Sequence, residues 1–183
     1  YLKAQRTLVI GTTAAEYTVS ADGTDASITP TNITIKRQSS YGSANVDAVT
    51  AGNAILFLQK AKRKIRELAY NFDSDSYVAP DLTILNDTVT DSGIVQMEWQ
   101  QEPDNILWCV REDGQLAALT YQRSEAVVSW HRHILGGSFG SGNAVVESIA
   151  SISGNLNEDE LWCIVKRTIN GSTKRYVECF SDF

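Results

Sequence analysis

The sequence predicts an all-β fold of β-propeller-like type, built from about four repeated antiparallel blade units of roughly fifty residues each. Three observations predict it. Leu107-Trp108-Cys109-Val110 returns as Leu161-Trp162-Cys163-Ile164, and each copy leads through a polar, glycine-bearing turn into a second strand-like run, at 115–121 and 172–180. Weaker copies lie upstream, with Leu56-Phe57-Leu58 ahead of 65–70 and Leu8-Val9-Ile10 ahead of 16–20. The turns Glu112-Asp113-Gly114 and Asn170-Gly171 supply residues that tolerate positive φ, as tight hairpins require. The expected blade hairpins are therefore 6–20, 54–70, 105–121 and 160–180, in a single β-repeat domain over 1–183. Four such units form either a small closed propeller or an open arc of a larger one, and the arc is the expectation. An arc leaves an apolar face bare at each end.

Each repeat opens on a short apolar run rich in β-branched and aromatic residues, which suits a strand near a sheet interior. Residues 126–134 alternate Val127, Ser129 and His131 with Val128, Trp130 and Arg132, so a third strand follows the 105–121 hairpin. Leading strands are expected at 33–37, 93–100 and 143–153. Residues 59–69 carry helix-forming Lys, Arg, Ala and Glu. The repeat overrides them: Leu56-Phe57-Leu58 aligns with Leu107-Trp108-Cys109, and 67–70 lies over 118–121, which makes 61–64 a hairpin turn. Glycine- and serine-rich loops are expected at 20–26 and 138–143, an irregular connection at 71–85, and a short helix within 80–85.

The chain has 183 residues, 43% hydrophobic and 21% charged, which is enough to bury a core and excludes intrinsic disorder. It begins at Tyr1 and enters a strand at once, so it reads as a fragment of a longer protein. No apolar run approaches the roughly 18 residues of a membrane span. A net charge of −6 opposes nonspecific wrapping of DNA, whose affinity comes from cations displacing counterions. The three cysteines have no C-x-x-C spacing, and Cys109 and Cys163 hold equivalent places in apolar strands, which reads as buried, reduced core. Sequons at Asn32, Asn86 and Asn170 carry no weight without signs of secretion.

No catalytic, cofactor-binding or metal-binding set emerges. Gly136-Gly137-Ser138-Phe139-Gly140 matches the nucleophile elbow G-x-S-x-G, but no helix follows, and both histidines precede Ser138 where the hydrolase order puts histidine last. His131 and His133 point to one face of a strand, yet a zinc site needs a third ligand. Lys60, Lys62, Arg63, Lys64 and Arg66 form a basic run, read as solvated. Asp73, Asp75, Asp81, Asp87 and Asp91 lack the spacing of a calcium loop. Trp99, Trp108, Trp130 and Trp162 fall mainly on strands, and the matching positions of Trp108 and Trp162 indicate packing rather than a ligand site.

Taken together, Gln101-Glu102-Pro103-Asp104-Asn105-Ile106-Leu107-Trp108, the string from Arg111-Glu112-Asp113-Gly114 to Leu119-Thr120-Tyr121, and Trp130-His131-Arg132-His133 resemble bacteriophage virion proteins. The resemblance extends to Ile35-Lys36-Arg37-Gln38-Ser39-Ser40-Tyr41-Gly42 and to Val165-Lys166-Arg167-Thr168-Ile169-Asn170-Gly171. The family is that of tail tubular, nozzle or stabilisation proteins of phages and prophages. It implies a non-enzymatic structural part of a short tail, located in the virion and made in the bacterial cytoplasm. It also implies self-association into an oligomeric ring, contact with other tail or adaptor proteins, passage of DNA without sequence recognition, no cofactor and no membrane anchor. The alternative is a propeller-type module whose tryptophans recognise a host-surface glycan.

Overall fold

The fold is described from a computed structural model and covers residues 1–23, 26–154 and 158–180. It is all-β and antiparallel. The chain divides into two compact units, Tyr1–Ile84 and Leu85–Phe183.

The first unit holds two four-stranded meanders. Strands β1 (Leu2–Ala4), β2 (Leu8–Gly11), β3 (Glu16–Ser20) and β4 (Thr34–Ser39) pair in chain order, as do β5 (Val49–Ala51), β6 (Ala54–Leu58), β7 (Ile65–Asn71) and β8 (Ser76–Val78). Val9 from the first sheet joins Ile55, Phe57 and Leu68 from the second in one core, with Ala48 and Ala79, and Tyr1 and Tyr77 pack on it. Alternation along the strands decides which residues these are: Val9 and Thr18 point inward, while Leu8, Ile10, Tyr17 and Ile35 share the opposite face. Every residue of β6 is buried, so both of its faces are covered, which explains the unbroken apolar run Ala54-Ile55-Leu56-Phe57-Leu58.

In the second unit β9 (Ile94–Gln100), β10 (Ile106–Arg111), β11 (Leu116–Gln122) and β12 (Val127–His133) form another four-stranded meander. A two-stranded ribbon of β13 (Ser138–Phe139) and β14 (Gly142–Asn143) follows, then a three-stranded sheet of β15 (Val145–Ser153), β16 (Asp159–Ile169) and β17 (Ser172–Cys179). Trp108, Val110, Leu116 and Ala118 meet Val146, Ile149, Leu161, Cys163 and Val165 in the core between the two larger sheets. Gln96 fastens them by polar bonds as well, its amide donating to the Ile149 carbonyl (2.6 Å) and accepting from the Ile149 N–H (3.1 Å).

Residues 59–69 form a turn and strand, not a helix: Gln59 N–H donates to the Lys64 carbonyl, and Lys62 sits at φ +62° to close the loop. Several finer expectations are corrected. Strand β4 pairs with β3 and closes the first sheet, so the leading strand of the second sheet is Val49–Ala51 rather than 33–37. The connection at 71–85 contains β8, zipped to β7 through Tyr70–Tyr77 and its neighbours. Residues 80–85 form a turn, and the short helix is a 3-10 turn at Asp87–Thr90. The glycine-rich stretch 138–143 is the β13–β14 ribbon. Of the loop at 20–26, Thr24 and Asp25 lie outside the described residues.

The repeat alignment also shifts. Trp108 faces Ala118 across its hairpin, and the residue facing Glu67 is Leu56, so Leu56 rather than Phe57 holds the Trp108 position. The turn at 59–64 is one residue longer than that at 111–115, which displaced the sequence match.

Candidate functional site

With faces assigned, the two units stack their sheets in the same sense. The Val9 face of the first sheet meets the Phe57 face of the second, and the Trp108 face of the third large sheet meets the Cys163 face of the last. Val9 and Trp108 hold matching repeat positions. In each unit the earlier large sheet thus offers its Trp108-type face to the later one.

Each large sheet has one face with no sheet packed on it in its own unit; on the second and third sheets that face is buried at Leu56 and Cys109, but on the first and last it is exposed. On the first sheet Leu2 and Ile35 are 65% and 61% exposed, beside half-buried Leu8, Ile10 and Tyr17. On the last, Ile152 is 50% and Val177 68% exposed, beside Trp162 and Ile164. Solvated sheet faces are ordinarily polar. These two are the candidate functional surfaces, and the sequence hint was the unbroken apolar runs at 8–10 and 161–165, which ask for cover on both faces.

The repeated tryptophans therefore differ in role. Trp108 is buried and donates its indole N–H to Gln100 Oε1 at 2.8 Å, whereas Trp162 lies on the outer face, half-buried, donating to Glu160 Oε2 at 2.9 Å. Trp99 and Trp130 occupy the face of the third sheet opposite Trp108, where Trp99 meets Tyr121 edge-on. The four indoles do not converge. Cys109 and Cys163 are buried free thiols, their pKa values pushed up by burial, that of Cys163 to about 11, while Cys179 is exposed.

His131 and His133 do share a face, as the alternation of β12 demands. They stand beside Trp108, with His131 Nδ1 2.7 Å from His133 Nε2 and His131 Nε2 3.2 Å from Thr120 Oγ1. The His133 ring is 5.0 Å from that of Trp108 and 6.0 Å from Phe180. Burial lowers the pKa of both imidazoles, and His131 lowers that of His133 further. A hydrogen bond between two imidazoles needs one N–H and one lone pair, so the neutral pair fits this core. Among the described residues no group of three or more His, Cys, Asp or Glu is placed to hold a metal. Ser138 is exposed on the ribbon rather than raised on a strand-to-helix turn.

The basic run does not act as one patch. Lys64 pairs with Asp81 at 2.7 Å, and Arg66 turns inward, donating to Gln59 Oε1 and the Ala79 carbonyl with its guanidinium 3.5 Å above the Tyr41 ring. Beside it Gln38, Ser39, Tyr41 and Tyr77 line an open concavity of about 540 Å3. Asp75, Asp81 and Asp91 are likewise occupied. Burial works to raise the pKa of Asp81, but hydrogen bonds from Lys64 and Thr83 hold it below the usual value; Asp75 accepts from Tyr70, and Asp91 with Asp113 neutralises buried Arg111.

Sequence reasoning missed two buried polar centres. Glu16 is fully buried and accepts from Ser43 Oγ at 2.7 Å and from Ser39 Oγ, and burial followed by this carboxylate raises the pKa of the Tyr1 phenol. Arg111 donates to Ser92 Oγ and the Val89 carbonyl as well as to its two aspartates. Nothing local foretells either, since the partners of each lie 19 to 27 residues away, apart from Asp113.

No family model matches the chain, and a search of the curated proteins finds no match.

Proposed function

We propose that the chain is a section of a non-enzymatic phage or prophage virion protein, a wall segment of a short-tail nozzle or tail tube whose sheets are propeller blades. In this reading it assembles in a ring, meets the head-tail adaptor and other tail proteins, and lets DNA pass without reading its sequence. The observation that carries it is the common stacking sense of the sheets. Within each unit the earlier sheet offers its Trp108-type face to the later one; that face is exposed on the last sheet around Trp162, Ile164 and Val177, and the opposite face is exposed on the first around Leu2 and Ile35. Such unlike faces join head to tail, the heterologous contact that generates rings. The family resemblance supplies the setting, and the net charge of −6 suits a wall past which phosphates slide. A glycan platform is less well supported, because the four tryptophans are divided among different faces.

Sedimentation over a concentration series tests the reading. The wild-type chain associates as concentration rises, and Ile35→Asp or Ile152→Asp alone weakens this by roughly tenfold or more, the value of burying one isoleucine. Mixing the two variants restores a dimer and nothing larger, since each retains the face the other lacks. A chain that stays monomeric throughout, or associates equally well with both substitutions, overturns it.

A further inference from the structure

Among the described residues two arginines are buried, Arg66 at 9% exposure and Arg111 at 4%, and their surroundings differ in charge. Arg111 has the carboxylates of Asp91 and Asp113 within ion-pair distance. Arg66 has none among the described residues. Its Nε donates to Gln59 Oε1 at 2.8 Å, its Nη1 donates to the Ala79 carbonyl at 2.7 Å, and the Tyr41 ring covers one face of the guanidinium. All three partners are neutral, and Nη2 has no hydrogen-bond partner among the described residues. Asp81, bridged to Arg66 through the backbone, is paired with Lys64, and Glu16 accepts from Ser39 and Ser43. A buried cation ordinarily has a counter-charge, because removal from water penalises an unpaired ion. Arg66 is one negative charge short, and it lines an open concavity of about 540 Å3.

We propose that this concavity binds a small hydroxylated monocarboxylate, of the uronic-acid class, whose carboxylate accepts from Arg66 Nη2 and supplies the missing counter-charge. The donor is set in advance. Two hydrogen bonds and the Tyr41 ring already hold the guanidinium, so little side-chain freedom is lost on binding, and a charge-assisted bond to a carboxylate is among the stronger polar contacts. One uncompensated charge calls for a monoanion; a dianion such as phosphate brings a second charge for which the lining has no cation. The rest of the lining asks for hydroxyls. Gln38 gives its amide N–H to Thr18 and has its carbonyl Oε1 unengaged, and the exposed Ser40 hydroxyl has no partner among the described residues. The volume lies within the range of about 300–1,000 Å3 usual for small-molecule sites. None of the lining residues is among those named on the two exposed sheet faces, so this site is separate from the head-to-tail association proposed above.

The test is an amide NMR titration of the full chain with D-glucuronate, in the Ile152→Asp background that weakens self-association. Saturable shifts are expected at Ser40, Tyr41, Arg66 and Ala79, with a dissociation constant on the order of 1 mM. D-glucose, which lacks the carboxylate, and inorganic phosphate, largely a dianion above neutral pH, bind more weakly by roughly tenfold or more. Ser40→Glu, a change at an exposed position, sets a carboxylate at the rim that repels the ligand and competes for Arg66, and it weakens glucuronate binding by roughly tenfold or more. Arg66→Gln removes the cation and abolishes binding; if that variant does not fold, Ser40→Glu decides alone. The proposal is overturned if glucuronate gives no saturable shift, if the shifts fall away from these residues, if glucose or phosphate binds as tightly, or if Ser40→Glu binds glucuronate as well as its parent.

Discussion

Leu107-Trp108-Cys109 and Leu161-Trp162-Cys163 are the same three letters in two strands of the second unit, and they meet the same core from opposite sides. In β10 the tryptophan enters that core and its flanking leucine and cysteine are buried on the other face; in β16 the leucine and cysteine enter and the tryptophan looks outward. The residues are therefore not repeated for one job. What repeats is a two-faced plate, and a tryptophan is core or surface according to whether another plate follows.

Truncation gives the largest test of that contrast. Trp108→Ala costs about 3–5 kcal/mol, since it empties a closed core and strands Gln100, whereas Trp162→Ala costs about 1 kcal/mol or less in the isolated chain; denaturant unfolding of both variants measures the gap. Equal losses would refute the assignment of faces. The turns of the two repeats offer a second pair. Gly114 has φ +77°, and an added Cβ would lie 2.5 Å from Val145 Cγ1, while Gly171 has φ +73° with open space around it. Gly171→Ala thus carries only the left-handed backbone cost of about 1–2 kcal/mol, and Gly114→Ala exceeds it by the clash, on the same assay.

Acid distinguishes the sheets next. Because burial holds His131 and His133 below 6.5 in the folded state, the unfolded chain binds more protons once pH falls through 6.5. Their contribution is nil at neutral pH, and stability declines as pH falls from about 7 toward the depressed folded values. The decline is smaller in His131→Gln/His133→Gln, and Trp108 fluorescence follows it because His133 stacks beside that indole. Thiol labelling is the gentlest probe: mass spectrometry of the native chain finds one adduct, at Cys179, and three after unfolding, since Cys109 and Cys163 are buried with raised pKa values.

The strands were legible because apolar runs bounded by Gly, Asn and Asp leave few other options, and the repeat correctly overrode helix propensity at 59–69. Faces were not legible. Where both sides of a strand are covered, as in β6, alternation carries no signal, and one extra turn residue sufficed to put Phe57 in the place of Leu56. Pairing partners failed where a strand was short, so that Val49–Ala51 was passed over for 33–37. The apolar runs at 8–10 and 161–165 hinted at cover on both faces, but the residues on the exposed faces follow from register alone. Glu16 and Arg111 stayed hidden because long-range partners define them.

Arg111 carries a consequence for motion. Its guanidinium holds the Val89 carbonyl, Ser92 and Asp91 on one side and Asp113 on the other, and Glu112 N–H reaches back to the Gly93 carbonyl. The 3-10 turn at Asp87–Thr90 and the tip of the β10–β11 hairpin are thereby locked as a single cooperative opening unit. Loops of this kind ordinarily fray one by one, their amides exchanging with solvent independently. With one buried cation tying them, these two surface loops are expected to share a single lifetime, which amide hydrogen exchange measures.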